Sequence, residues 1–346
     1  MYQFKKMIKV LLLCLLTACN GNDKEYSVIS PEQEIEAGGS SDYTELLNKT
    51  RPVPAEYNQE SVLKGNVVQI DYNTKNYVEG TGEVRKNTAY VYLPYGYDEA
   101  SEQPYNVFYF VHGHGETAIS FFQNENGLLC KLLDHMLENR DMAPTLIVST
   151  SYVYGTPVDY YPDADPYCEA LPQELVNDLI PLIESRYHTY TESTDVAGIT
   201  VSRKHRAIGG FSMGAVTVWY ALEHALECFK YFMPISSDGW SLGRFAGMTN
   251  PDETAEYLAN TIRNSAFSKN DFYIWACSGT NDVAYDRIWS QVQAMAQLTD
   301  VFSVSNLTFH EQDGARHEFR SLAEYLYNVL PVSYTHLRAH ETLANL

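Results

Sequence analysis

Basic residues are scarce in this chain of 346: 24 lysines and arginines stand against 44 aspartates and glutamates, a formal net charge of −20. The acidic residues are spread along the chain rather than gathered in a tail. This excludes nucleic acid and anionic membrane surfaces as partners, because both are bound through a basic footprint. Long apolar runs are few, and the one at residues 10–16 is too short to cross a bilayer. Internal repeats are absent. Cysteine is sparse as well, with six in all. The irregular spacing of Cys130, Cys168, Cys228 and Cys277 fits no metal-site pattern but leaves two disulfides open in an oxidising compartment. Cys277 falls in the apolar run 272–277, where a buried free thiol is an equal alternative.

What is present begins with a leader. Lys5, Lys6 and Lys9 precede the apolar stretch 10–16, as in a secretory signal. Leu16-Thr17-Ala18-Cys19 then matches the lipobox of bacterial lipoproteins. The expectation is a signal peptide over 1–18, lipidation at Cys19, and export to an outer membrane, facing the periplasm or the cell surface. Residues 19–59 are polar, contain Gly38-Gly39-Ser40-Ser41 and the spaced prolines Pro52 and Pro54, and read as a flexible tether. A folded domain is expected over 60–331. The stretch 332–346 has no partner pattern and reads as a non-native tail, so its His336 and His340 carry no metal expectation.

Two periodicities alternate through the domain. Residues 67–72 and 88–93 alternate apolar with polar, as half-buried strands do. The segments 107–111, 145–150, 207–211, 232–235 and 272–276 are short apolar runs bounded by turn residues, which suits strands buried on both faces of a parallel sheet. Helical spacing appears between them over 171–187, 213–229 and 287–298. Strands alternating with helices predict an α/β fold, a mostly parallel sheet flanked by helices on both faces.

One motif carries chemistry. Gly210-Phe211-Ser212-Met213-Gly214 follows the apolar run at 207 and opens the helical pattern at 215. That is the strand, sharp turn and helix of a nucleophile elbow in an α/β-hydrolase fold. A serine hydroxyl needs a base to take its proton and an acid to orient that base. In this fold the order is serine, acid, histidine. His224 lies within the helix after the nucleophile and His310 within a strand, whereas His317 follows the turn Asp313-Gly314-Ala315-Arg316 and is the expected base. Asp282, in the loop Gly279-Thr280-Asn281-Asp282 after a strand, is the expected acid, with Asp286 and Asp238 as alternatives. The tetrahedral oxyanion needs donors fixed in advance. The N–H groups of Met213 and of His114, in Val111-His112-Gly113-His114-Gly115-Glu116, are the candidates. No cofactor and no metal is implied.

These residues resemble a known family. Tyr190-Thr191-Glu192-Ser193-Thr194, Ser202-Arg203-Lys204-His205-Arg206, Gly209-Gly210-Phe211-Ser212-Met213-Gly214, Tyr231-Phe232-Met233-Pro234, Ser237-Asp238-Gly239-Trp240, Gly279-Thr280-Asn281-Asp282-Val283-Ala284-Tyr285 and Gly314-Ala315-Arg316-His317 are similar to the feruloyl esterase modules of bacterial xylanases, in carbohydrate esterase family 1. The resemblance runs from about residue 60 to 331. It implies a serine esterase releasing hydroxycinnamic acids from arabinoxylan, with Ser212, Asp282 and His317 as triad. It also implies substrate contacts near Asp238, Trp240 and Tyr285, and plant cell-wall polysaccharide esters as partners. The same family includes acetyl xylan and siderophore esterases. From another class, a glycan-binding protein on a hydrolase scaffold is the rival reading. The tyrosine- and proline-rich segment 152–167 is a candidate lip of an aromatic acyl pocket.

Overall fold

A strand without polar interruption is stable only where both faces of its sheet are covered. The apolar runs meet that condition here in a computed structural model, which describes residues 43–154, 158–331 and 333. The leader, Cys19, His336 and His340 lie outside the described residues. The strands are β1 (Leu47–Lys49), β2 (Asn66–Lys75), β3 (Val84–Leu93), β4 (Asn106–Val111), β5 (Thr145–Thr150), β6 (Arg206–Phe211), β7 (Tyr231–Ile235), β8 (Tyr273–Gly279) and β9 (Leu307–Gln312). They form one sheet in the order β1-β9-β8-β7-β6-β4-β5-β3-β2. Pairing is parallel from β1 to β5 and antiparallel where β3 meets β5 and β2.

Among the helices are α1 (Ser120–Glu138), α2 (Asp165–Glu174), α3 (Ile180–Arg186), α4 (Val196–Val201), α5 (Met213–His224), α6 (Ala246–Thr249), α7 (Pro251–Arg263), α8 (Tyr285–Ala296) and α9 (Leu322–Val329). Phe108, Phe110, Ile147 and Met233 bury one face of the sheet against α1 and α9. Their neighbours Val107, Tyr109, Val148 and Phe232 bury the other against α2, α3, α5, α7 and α8. The expected α/β-hydrolase architecture, with helices on both faces, is therefore present.

Several boundaries differ from expectation for physical reasons. The tether does not extend to residue 59. Leu46 and Tyr57 are buried, and β1 pairs in parallel with β9 through Leu47, Asn48 and Lys49. The Tyr57 hydroxyl donates to Asp141 and its ring stacks on His135 at 4.9 Å. A three-residue edge strand is too short to show a periodicity. The helix expected over 171–187 is broken into α2, a wider turn at Leu175–Leu179 and α3. Pro181 has no N–H for the carbonyl four residues back, and the wider turn accommodates that loss.

The helix expected over 213–229 stops at His224, although Leu226, Cys228 and Phe229 stay buried. Their carbonyls are taken by two buried guanidinium groups. Arg203 donates to Leu226 and Phe229, and Arg206 to Cys228 at 2.6 Å. Arg206 is also paired in two-pronged fashion with Glu184, at 2.5 and 2.7 Å, with 1% and 2% of the two side chains exposed. Removing one member of such a pair strands a buried charge. Glu184→Ala is therefore expected to destabilise the fold by about 3–5 kcal/mol, read as a lower urea midpoint at unchanged slope.

The four cysteines in the described body are free rather than bridged. Burial pushes the Cys130 and Cys228 thiols up to about 12, so neither is a reactive thiolate near neutral pH.

Candidate active site

The carboxyl ends of β4, β6, β8 and β9 converge on one cavity. At the end of β6 the chain turns through Ser212, whose φ of 55° and ψ of −114° lie outside the ordinary regions. A Cβ at Gly210 would sit 2.3 Å from the Gly214 carbonyl oxygen, and one at Gly214 would sit 2.0 Å from that of Val111. Both glycines are thus set by backbone crossing backbone, and the turn that results lifts the Ser212 hydroxyl into the cavity.

The base and acid come from two loops sewn together by main-chain hydrogen bonds. Thr280 N–H donates to Gln312, and Asn281 N–H to Ala315, each at 3.0 Å. On that support His317 Nε2 lies 2.9 Å from Ser212 Oγ, and His317 Nδ1 lies 2.8 Å from Asp282 Oδ1. Asp282 Oδ1 also accepts the Ala284 N–H at 2.7 Å, and the carboxylate side chain is fully buried. The Phe211 ring packs against the imidazole at 4.8 Å. The three residues expected from chain order are thus brought together.

Asp286, weighed as an alternative acid, is exposed on the first turn of α8. His310 lies on β9, bonded to Thr308, with burial lowering it to about 4. His224 ends α5 beside Glu223.

The oxyanion candidates also face this cavity. Met213 opens α5, and His114 sits in the turn Gly113–Glu116, where Gly115 has the positive φ (77°) that a type II turn requires at its third position. Neither N–H is used in a hydrogen bond within the protein among the described residues. His112, next to them, is buried between the Gly113 carbonyl and Ser151 Oγ. Burial lowers it to about 4, so it is a neutral structural imidazole.

The cavity has a volume of about 450 Å³, in the range of small-molecule sites, and its walls include His114, Tyr161, Phe211, Trp240, Arg287 and His317. A larger cavity of about 700 Å³ lies at the other end of β4 and β6. Its histidine, His205, is bonded to Asn106 and stacked on Tyr190 rather than set against a hydroxyl, so no nucleophile and base meet there.

Three expected substrate contacts divide. Trp240 lines the cavity. Asp238 is buried behind it, accepting from the Trp240 indole N–H at 3.3 Å and the Met248 N–H at 3.1 Å, so its carboxylate braces the wall. Tyr285 points away from the cavity, its hydroxyl bonded to Glu311 and its ring against Phe309. A family motif marks positions along the chain but not the direction of each side chain.

Of the tyrosine-rich segment 152–167, Tyr161 reaches the cavity, while Tyr152 packs on His112 and Tyr154 donates to Glu174. Pro157 lies outside the described residues. Arg287 was not anticipated. Its guanidinium lies over the Phe245 ring at 4.5 Å, and the available signal was a cation five residues past the acid in an acidic chain. Glu116 is the other addition: burial raises its carboxyl above the usual range, against hydrogen bonds from Gly113 and Asn124. Among the described residues no group of three or more His, Cys, Asp or Glu side chains could hold a metal ion.

A hydroxyl, an imidazole and a carboxylate in series, beside two free N–H groups, can carry out acyl transfer through a tetrahedral intermediate. Known proteins share this arrangement of chain. A family model described as a putative esterase matches residues 84–327. Endo-1,4-beta-xylanase Y of Acetivibrio thermocellus is 35% identical over 288 residues, which are 81% of this chain and 24% of the xylanase. The chain therefore spans about a quarter of the length of that relative.

Among solved structures, a serine-to-alanine mutant of the feruloyl esterase module from Clostridium thermocellum, complexed with sinapinate, aligns with a TM-score of 0.71 and 32% identity, covering 84% of this chain and 95% of the module. The ferulic acid esterase from Anaeromyces mucronatus, at 22% identity and a TM-score of 0.60 over 82% of this chain and 97% of that one, shares the fold.

Proposed function

The chain belongs to the esterase family and is a serine carboxylesterase, and from that premise we propose that it is a feruloyl esterase, releasing hydroxycinnamic acids from arabinoxylan. The observation that carries the reading is the Ser212–His317–Asp282 series, at 2.9 and 2.8 Å, opening on a cavity walled by Tyr161, Trp240 and Phe211. Aromatic walls suit a flat acyl ring.

In this reading His317 Nε2 takes the Ser212 proton as Oγ attacks the ester carbonyl. Asp282 holds the Nδ1–H tautomer and balances the imidazolium that forms. The N–H groups of Met213 and His114 receive the oxyanion. His317 then returns the proton to the departing sugar hydroxyl, leaving an acyl group on Ser212. Water, deprotonated by the same imidazole, releases the acid and restores the serine. Each step uses protein groups and water alone.

Kinetics on a panel of esters test the acyl assignment. Ferulate release from methyl ferulate and feruloylated arabinoxylan is expected at a kcat/KM at least ~100-fold above acetate release from acetylated xylan, a difference of about 2.7 kcal/mol. Faster acetate release would make this an acetyl xylan esterase. Xylan affinity without acid release from any ester would make it a glycan-binding protein.

The lipobox ending at Cys19 supports an exported, lipid-anchored enzyme at the outer membrane, facing the periplasm or the cell surface. Blocking the lipoprotein signal peptidase with globomycin is expected to accumulate a larger, unprocessed precursor. An unchanged band removes the anchor from this reading.

A further inference from the structure

We propose that Glu116 is a positioning residue for the oxyanion hole, acting on the reaction through the backbone N–H of His114. The inference rests on the reading of His114 as an oxyanion donor and deepens it.

The turn that carries this N–H is weakly closed on its main chain alone. Glu116 N–H reaches the Gly113 carbonyl at 3.3 Å, beyond the usual range for such bonds. Gly115 also gives the loop more freedom to lose than any other residue would. A second bond runs the opposite way: Gly113 N–H donates to Glu116 Oε2 at 3.1 Å. The reciprocal pair has the logic of a capping box, in which a carboxylate three residues on reaches back to the first N–H.

The other carboxylate oxygen is also engaged. Glu116 Oε1 accepts from Asn124 Nδ2 at 3.1 Å. Asn124 lies where α1 is interrupted and the backbone turns left-handed through Glu125, Asn126 and Gly127. Glu116 therefore ties the turn both to itself and to α1, which packs under the sheet. His114 N–H stands between the two ends of this clamp. Glu116 makes no hydrogen bond to Ser212, His317 or Asp282 among the described residues, but it lines the same cavity and its charge acts on His317, so Glu116→Gln, which removes the charge and keeps the clamp, separates the turn from the field.

A preorganised donor stabilises the transition state only while it stays aimed at the developing charge. Freeing the turn leaves the donor in place but lets it wander, which affects the tetrahedral state more than the planar ground state.

The test uses the full chain with kcat referred to active sites counted by acyl-enzyme burst. Glu116→Ala is expected to lower kcat on methyl ferulate about 10- to 100-fold, with KM within about twofold. A boronic acid that forms a tetrahedral adduct on Ser212 should weaken by the same factor, while ferulate binding holds. Glu116→Gln should recover most of the loss, since its amide oxygen can take the Gly113 N–H while Asn124 turns its own amide to present oxygen. If Glu116→Ala does not fold, Asn124→Ala removes one leg of the clamp and should show the same signature at smaller size. Unchanged kcat per site, or equal losses in boronate and ferulate binding, would overturn the proposal. Hydrolysis that survives Ser212→Ala would instead overturn the triad reading on which it rests.

Discussion

Replacing Ser212 by alanine is expected to lower kcat on methyl ferulate on the order of 10⁶-fold, the scale seen when a serine nucleophile is removed from a working triad. The hydroxyl supplies the attacking oxygen, and among the described residues its one hydrogen bond is to His317 Nε2. No other hydroxyl is set against that imidazole nitrogen among the described residues. The fold should not notice. The φ of 55° at this position is strained for alanine as for serine, so the thermal midpoint should stay within a few degrees. Ser212→Gly provides the complement, because glycine takes positive φ without that cost. It should be as inactive as the alanine variant and more stable. Burst amplitude and calorimetry together read both halves.

The second large effect is at the acid. Asp282→Ala is expected to lower kcat on the order of 10⁴-fold, because the imidazole loses both its orienting acceptor and the charge that balances imidazolium. Asparagine should do less harm here. A single oxygen, Oδ1, accepts from both His317 Nδ1 and the Ala284 N–H. An amide at this position must keep its oxygen toward Ala284, since turning its NH₂ there would oppose two donors. The same oxygen then still receives the Nδ1 proton and the productive tautomer survives. What is lost is the negative charge. The expected order is wild type, then Asn, then Ala. If Asn and Ala were equally impaired, tautomer control would not reside in the Ala284 contact.

How far residue order alone reaches is visible at particular positions. Residues 145–150 were legible to the boundary, because a run buried on both sides leaves no doubt about its environment. Ser212 was legible because its constraints are local: two glycines forced by crossing backbones within four residues. Asp282 and His317 followed from fold order. Helix α1 was not anticipated, since its interruption, extended at Asn124 and left-handed through Glu125, Asn126 and Gly127, breaks the 3.6-residue period. The direction of Tyr285, on α8, was not legible because it is decided by Glu311, a residue 26 positions away on β9. The roles of Asp238 and Glu116 depend in the same way on partners, Met248 and Asn124, that sequence spacing does not single out.

The pairing of β1 with β9 bears on how the molecule can be handled. An enzyme cut at residue 60, where the compositional change invites a boundary, would lose three residues of parallel ladder and bare the peptide groups of β9 at one edge of the sheet. Such a margin recruits the strands of other molecules. Preparations trimmed there should cloud at concentrations where chains retaining Tyr43 onward stay clear, and catalytic failure in them would report self-association rather than any defect in the hydrolytic machinery.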